Sequence, residues 1–255
     1  MTHAVIAHLG KADPVMKRLI AAAGPFAMEA REQQTPYEAL ARAIAHQQLN
    51  GKAAQSILNR FVSTCGQGLF PGPAALLALE DAQLRASGFS FSKIRALRDL
   101  ADKTQSGIVP GLAALQALPD LQIIERLTAV RGIGRWTVEM MLMFHLRRPD
   151  VLPVADFGVR HGFQLAYGHR EMPAPKALAL FGERWGPYRS AAAWYLWRAV
   201  DLHRAGRLPP PVQVTKLPRL PKRAAASAAR PAPAGARTRA RRLPAPRSRA
   251  PAKKK

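Results

Sequence analysis

Apolar residues recur along this chain at three- and four-residue spacing, the period of a helix with one buried face, and no stretch alternates convincingly as a strand would. The pattern predicts an all-α protein. Near the start it gives a helix over Pro14–Ala23 and a weaker one around Met28. Thr35-Pro36-Tyr37-Glu38 then reads as a capping box, with Thr at the N-cap, Pro at the first helical position and Glu at the third. That helix turns Leu40 and Ile44 inward and runs into the polar corner His46-Gln47-Gln48-Leu49-Asn50-Gly51, where Asn-Gly breaks it. A helix over 52–63 follows, with Ala53, Ile57 and Phe61 on one face.

Pro71 and Pro73 start a short helix through Leu76, Leu79 and Leu84. Gly88-Phe89-Ser90 turns the chain, and Ser90 or Ser92 caps a helix over 93–103. Gly107, Pro110 and Gly111 close that unit, and Pro119-Asp120 opens the next. Late in the chain, a loop with Pro173 and Pro175 leads to a helix around Leu178 and Phe181. A long helix over 189–205 carries Trp194, Trp197 and Val200 at apolar spacing.

The chain is organised around 127–163, LTAVRGIGRWTVEMMLMFHLRRPDVLPVADFGVRHGF. Ile123, Leu127 and Val130 share a face before the turn; Val138, Met141, Leu142 and His145 share one after it. Between them, Arg131-Gly132-Ile133-Gly134 allows a tight turn with Ile133 as its apolar plug. The first N–H groups of the second helix are then bare, and such a terminus attracts anions. The unit is a helix-hairpin-helix spanning about 121–145, followed after Pro153 by Asp156 at the head of another helix.

Charge selects the anion. The formal charge is +23; from Pro209 onward there are 14 Lys/Arg and no acid, which leaves 25 basic against 16 acidic residues, +9, in 1–208. The expected folded part is therefore basic without its tail, as a nucleic-acid binder should be. Residues 209–255, rich in Pro, Ala, Arg and Lys, lack the apolar content to offset chain entropy and read as a disordered tail able to contact phosphates without sequence preference. Lys253-Lys254-Lys255 has a competing reading as a localisation signal.

A single cysteine, Cys65, excludes an internal disulfide framework and a four-cysteine iron–sulfur cluster. The seven histidines show no ligand pairing, so no metal site is expected among the side chains. No apolar run reaches membrane-spanning length, and the N-terminus lacks a signal-peptide core. The expected protein is soluble and cytoplasmic, or nuclear in a eukaryote, associated with DNA and not with membranes.

Asp156 alone would be an ordinary N-cap. Its setting supports a second role. Cleavage of an N-glycosidic bond develops positive charge on the sugar, and a fixed carboxylate stabilises that charge and orients a water.

The hairpin, the Pro-containing loop and the Asp together resemble the helix-hairpin-helix DNA glycosylases. GIGRWT followed by LPVADFGVR is most similar to their alkylbase branch, 3-methyladenine DNA glycosylase II. The resemblance covers roughly 35–205. It implies a two-lobed fold in which N-terminal residues pack with the C-terminal helices, and a cleft for DNA with Asp156 at its edge as the catalytic acid. It implies a hairpin, Arg131 to Arg135 through Gly132, Ile133 and Gly134, that anchors the DNA backbone, helped by Lys52 and Lys93. It makes Gln48 or Leu49 the wedge that fills the gap left by a flipped base. Trp136 stands where relatives that also cut the backbone carry a Lys nucleophile, so the implied enzyme is monofunctional, leaving an abasic site.

Trp136 matches an aromatic of the family's base pocket, which suits a cationic alkylpurine such as 3-methyladenine or 7-methylguanine. Phe157, Trp185 and Tyr188 are further pocket candidates, and Met140 stands where one family member has a Tyr. The family also implies no cofactor beyond a monovalent cation that the hairpin often holds through backbone carbonyls. The partner is damaged double-stranded DNA, met by a monomer, with no extra N-terminal β-domain before residue 35. Two alternatives stand beside this reading: a glycosylase for deaminated or oxidised bases, hypoxanthine first, and a DNA-binding hairpin without catalysis.

Overall fold

A computed structural model of the protein describes residues 2–28, 34–211 and 217. Of the basic tail expected over 209–255, all but 209–211 and 217 falls outside these residues. Every regular element among them is helical.

The chain opens with α1 (Thr2–Ala12), which the pattern missed, and α2 (Pro14–Ala23). Asp13 separates them and caps α2, its carboxylate accepting the N–H groups of Val15 and Met16 at 3.0 and 3.2 Å. Met28 itself is not helical, and the residues after it, 29–33, lie outside the described ones. Thr35 caps α3 (Pro36–His46) by accepting the Glu38 N–H. Only this half of the box forms, because the Glu38 carboxylate pairs forward with Arg42 instead. Asn50 caps α4 (Gly51–Cys65), whose inner face is Ala54, Leu58 and Phe61, one position away from the expected Ala53 and Ile57.

The helix expected through Leu84 divides into α5 (Pro73–Ala78) and α6 (Asp81–Ser87), because Leu79 and Glu80 take extended backbone. Ser90 then caps α7 (Phe91–Gln105). Next come α8 (Leu112–Gln116), α9 (Asp120–Thr128) and α10 (Arg135–Phe144). The last group is α11 (Phe157–Tyr167), α12 (Pro175–Gly182), a 3-10 turn Glu183–Trp185, and α13 (Arg189–Arg204).

These helices form the two expected lobes. In one, α13 packs on α2 and α11, with α1 against α2; in the other, α7 packs on α3 and α5, α4 on α6, and α9 on α10. A continuous apolar core runs through both, and α10 also touches α3. The terminal lobe is locked by Asp13, which is 1% exposed and accepts Tyr167 Oη–H at 2.7 Å and Trp185 Nε1–H at 3.1 Å. A buried carboxylate without such donors would be strongly destabilising. Leu208 and Leu217 also pack against the core.

Candidate active site

The site lies where α10 of one lobe meets α11 and α13 of the other. Asp156 follows Pro153 and caps α11, its Oδ1 accepting the Val159 N–H at 2.7 Å. Two indoles complete its surroundings. Trp136, in the first turn of α10, donates Nε1–H to Oδ2 at 2.8 Å. Trp197, from α13, donates Nε1–H to Oδ1 at 2.8 Å. A carboxylate offers about four lone-pair sites, so three donors leave one edge for a water. The carboxylate is thus held in one orientation as an acceptor, still partly open to solvent.

The structure thus adds Trp197 to the candidate site, a contact that its apolar spacing disguised. Its indole stacks on Phe144, with ring centroids 5.9 Å apart and planes 20° from parallel. Gly158 makes its approach possible: a Cβ there would stand 2.7 Å from Trp197 Cδ1. Trp136, Met140 and Phe144 follow one another at four-residue spacing along α10 and share a face. Trp136 is 49% exposed and Phe157, beside Asp156, 65% exposed, although large aromatics usually find cover. An apolar platform therefore stands open next to the carboxylate.

Two expected pocket residues are elsewhere. Trp185 is fully buried and spends its N–H on Asp13, so it is core. Tyr188 packs edge-on against His8 and lines a separate cavity of about 250 Å³ with Val5, Phe26 and Met28.

The hairpin forms as expected. Gly132 takes φ +79°, a left-handed conformation suited to glycine, and Ile133 is buried as the plug. The Arg131 N–H is bound at 2.6 Å by Asp99 of α7, and no side chain caps the start of α10 at Gly134. Burial opposes the Asp99 charge, but this N–H and Lys103 outweigh it and hold the carboxyl below the usual range. Arg135 is exposed and reaches forward along α10 to Glu139 at 2.8 Å. Glu139 is 4% exposed; burial pushes its carboxyl up, Arg135 opposes, and the nearby charge of Asp156 adds to the rise.

Lys52 is exposed at the start of α4. Lys93 is not a free phosphate contact: its ammonium is tied to the Ala45 carbonyl at 2.7 Å, and burial lowers its pKa. At the expected wedge, Gln48 and Leu49 are exposed at the end of α3, and Gln48 has φ +59°. A non-glycine residue in that region is sparsely populated and often marks a functional corner.

Known proteins share this fold. The family model for the HhH-GPD superfamily base excision DNA repair protein matches residues 41–187. DNA-3-methyladenine glycosylase 1 of Schizosaccharomyces pombe is 41% identical over 196 residues, covering 76% of this chain and 86% of that protein. The structure of the S. pombe 3-methyladenine DNA glycosylase in complex with abasic DNA superposes with a TM-score of 0.69 at 40% identity, over 78% of this chain and 97% of that one. A DNA-3-methyladenine glycosidase from Bacillus halodurans gives 0.72 at 33% identity, over 79% and 91%. With the hairpin, the loop and the capping Asp in place, the chain belongs to the HhH-GPD superfamily of base excision DNA repair proteins.

Proposed function

We propose that the protein is a monofunctional DNA glycosylase that flips alkylated purines, such as 3-methyladenine and 7-methylguanine, out of duplex DNA and releases them by hydrolysis. The observation that carries this reading is Asp156, fixed by Val159 N–H, Trp136 and Trp197 beside an exposed aromatic face. An alkylated purine is cationic, and an electron-rich ring attracts it by roughly 0.5–2 kcal/mol. That same charge weakens the glycosidic bond, so one carboxylate suffices to stabilise the sugar cation and direct a water. The names of the S. pombe and B. halodurans relatives support the alkylpurine substrate.

In this reading the hairpin grips a backbone phosphate through the bare start of α10 and exposed Arg131 and Arg135, with Lys52 as a further contact. Leu49 or Gln48 enters the duplex, and Trp136, Met140 and Phe157 face the base. A monovalent cation fits the hairpin in part: Val130 O accepts the Ile133 N–H and Gly132 O accepts the Gln47 amide, yet each keeps a second lone pair. Its chemistry would be to add positive charge beside the phosphate. Indole replaces any amine at Trp136, which supports an abasic product with no strand cut.

The test is release of free bases from methylated duplex DNA, followed by strand analysis. Methyladenine or methylguanine in the supernatant, with strands nicked only after alkali, supports the reading. Release of hypoxanthine or oxidised bases alone would reassign the substrate; no release from any of them would leave a binding module.

A further inference from the structure

The corner 46–50 and the hairpin turn are distant in sequence but are joined by one direct hydrogen bond and, through α7, by two more. Gln47, which ends α3, donates its side-chain N–H to the Gly132 carbonyl at 2.8 Å. Lys93, in the first turn of α7, donates to the Ala45 carbonyl at 2.7 Å. Asp99, farther along α7, accepts the Arg131 N–H at 2.6 Å. Between Lys93 and Asp99 lies Ala96, whose methyl sits 3.4 Å from where a Cβ on Gly132 would be. One helix therefore touches the corner at one end and the turn farther along, and Gln47 closes the gap between them. The corner itself projects Gln48 in a left-handed conformation and Leu49 at 40% exposure.

We propose that Gln47, Lys93 and Asp99 are positioning residues that fix the corner's distance and orientation to the hairpin, so that the wedge enters the duplex in register with the phosphate held at α10. The inference rests on the glycosylase reading above. It assigns base extrusion a rigid frame: the hairpin fixes where the strand lies, and the frame fixes where the wedge meets it. The Gln47 bond is solvent-exposed, so its contribution to folding is small, while a misplaced wedge acts directly on extrusion. The Lys93 ammonium replaces a hydrogen-bond partner for a carbonyl at the end of α3, where helix carbonyls lack one.

The experiment uses the full chain and two 7-methylguanine substrates, one paired in a duplex and one unpaired in a bulge, where extrusion needs little help from a wedge. Gln47→Leu keeps the side chain's size without its donor; Lys93→Met does the same for the ammonium. Single-turnover release from the duplex is expected to fall about tenfold in Gln47→Leu, and release from the bulge by less than about twofold, with an unchanged melting temperature. Added to Leu49→Ala, Gln47→Leu should have little further effect, because both act through one wedge. Equal loss on both substrates, or full additivity with Leu49→Ala, would overturn the proposal. Wild-type release with no change in Gln47→Leu sinks this inference alone. Absence of wild-type release from either substrate sinks the glycosylase reading beneath it. Should Lys93→Met fail to fold, Gln47→Leu still decides.

Discussion

Trp197 donates its indole N–H to Asp156 Oδ1 at 2.8 Å, joining α13 to the head of α11. A hydrogen bond to a charged group contributes more than a neutral one, about 1.5–3 kcal/mol. Trp197→Phe keeps an aromatic ring against Phe144 but removes the donor. Single-turnover base release should fall on the order of tenfold to a hundredfold, with duplex binding unchanged. Gly158→Ala should reproduce much of this loss, since its Cβ would displace Trp197.

Trp136 combines an N–H on Asp156 Oδ2 with a half-exposed ring. Two substitutions separate these roles. Trp136→Phe loses the donor and keeps the face, so it should slow release of charged and neutral bases alike. Trp136→Leu loses both, and the preference for cationic 7-methylguanine over neutral hypoxanthine should shrink by roughly 2- to 30-fold. Competition between the two lesions reads this ratio directly.

Asp13 supports the fold at a distance from the chemistry. Its carboxylate serves Val15, Met16, Tyr167 and Trp185, and it is buried. Asp13→Ala leaves those donors unpaired and should lower unfolding stability by on the order of 3 kcal/mol. Urea unfolding measures the loss, and base release per folded molecule should stay at the wild-type rate.

The acid limb of stability has identifiable sources. The Arg189 guanidinium holds Asp150 below the usual carboxylate range through paired bonds at 2.7 Å, and Asp99 is lowered as well. Such groups bind fewer protons folded than unfolded. Their stabilisation is complete above the unfolded carboxylate pKa of about 4 and is lost as pH falls through the lower folded values. Glu139 acts in the opposite sense: its raised value means that burial of the charge opposes folding at neutral pH, an effect relieved by protonation as pH drops. Asp150→Asn should therefore flatten the decline in melting temperature below about pH 4, and Glu139→Gln should steepen the net decline toward acid.

Much of this was legible in the sequence because local rules and tertiary packing agree. The hairpin, its Ile133 plug, the Asp156 cap and the Ser90 cap all rest on spacing and turn chemistry. The failures have equally definite causes. Trp197 looked like core because periodicity marks a residue as apolar without saying what its polar edge meets. Trp185 looked available for the same reason, and its N–H proved to belong to Asp13. Lys93 read as a free charge because no local signal announces a bond to a carbonyl 48 residues away. Gln47 and Asp99 act through similar long-range contacts, invisible before the chain is folded.

For a carboxylate that drives release of an alkylated base, Asp156→Asn is the decisive variant. The amide keeps the shape but withdraws the negative charge. Methylated duplex DNA should lose methyladenine or methylguanine to the wild type, while the variant binds the same duplex and releases the bases at least about a hundredfold more slowly. Release at the wild-type rate by a folded Asp156→Asn protein would move the chemistry to another residue.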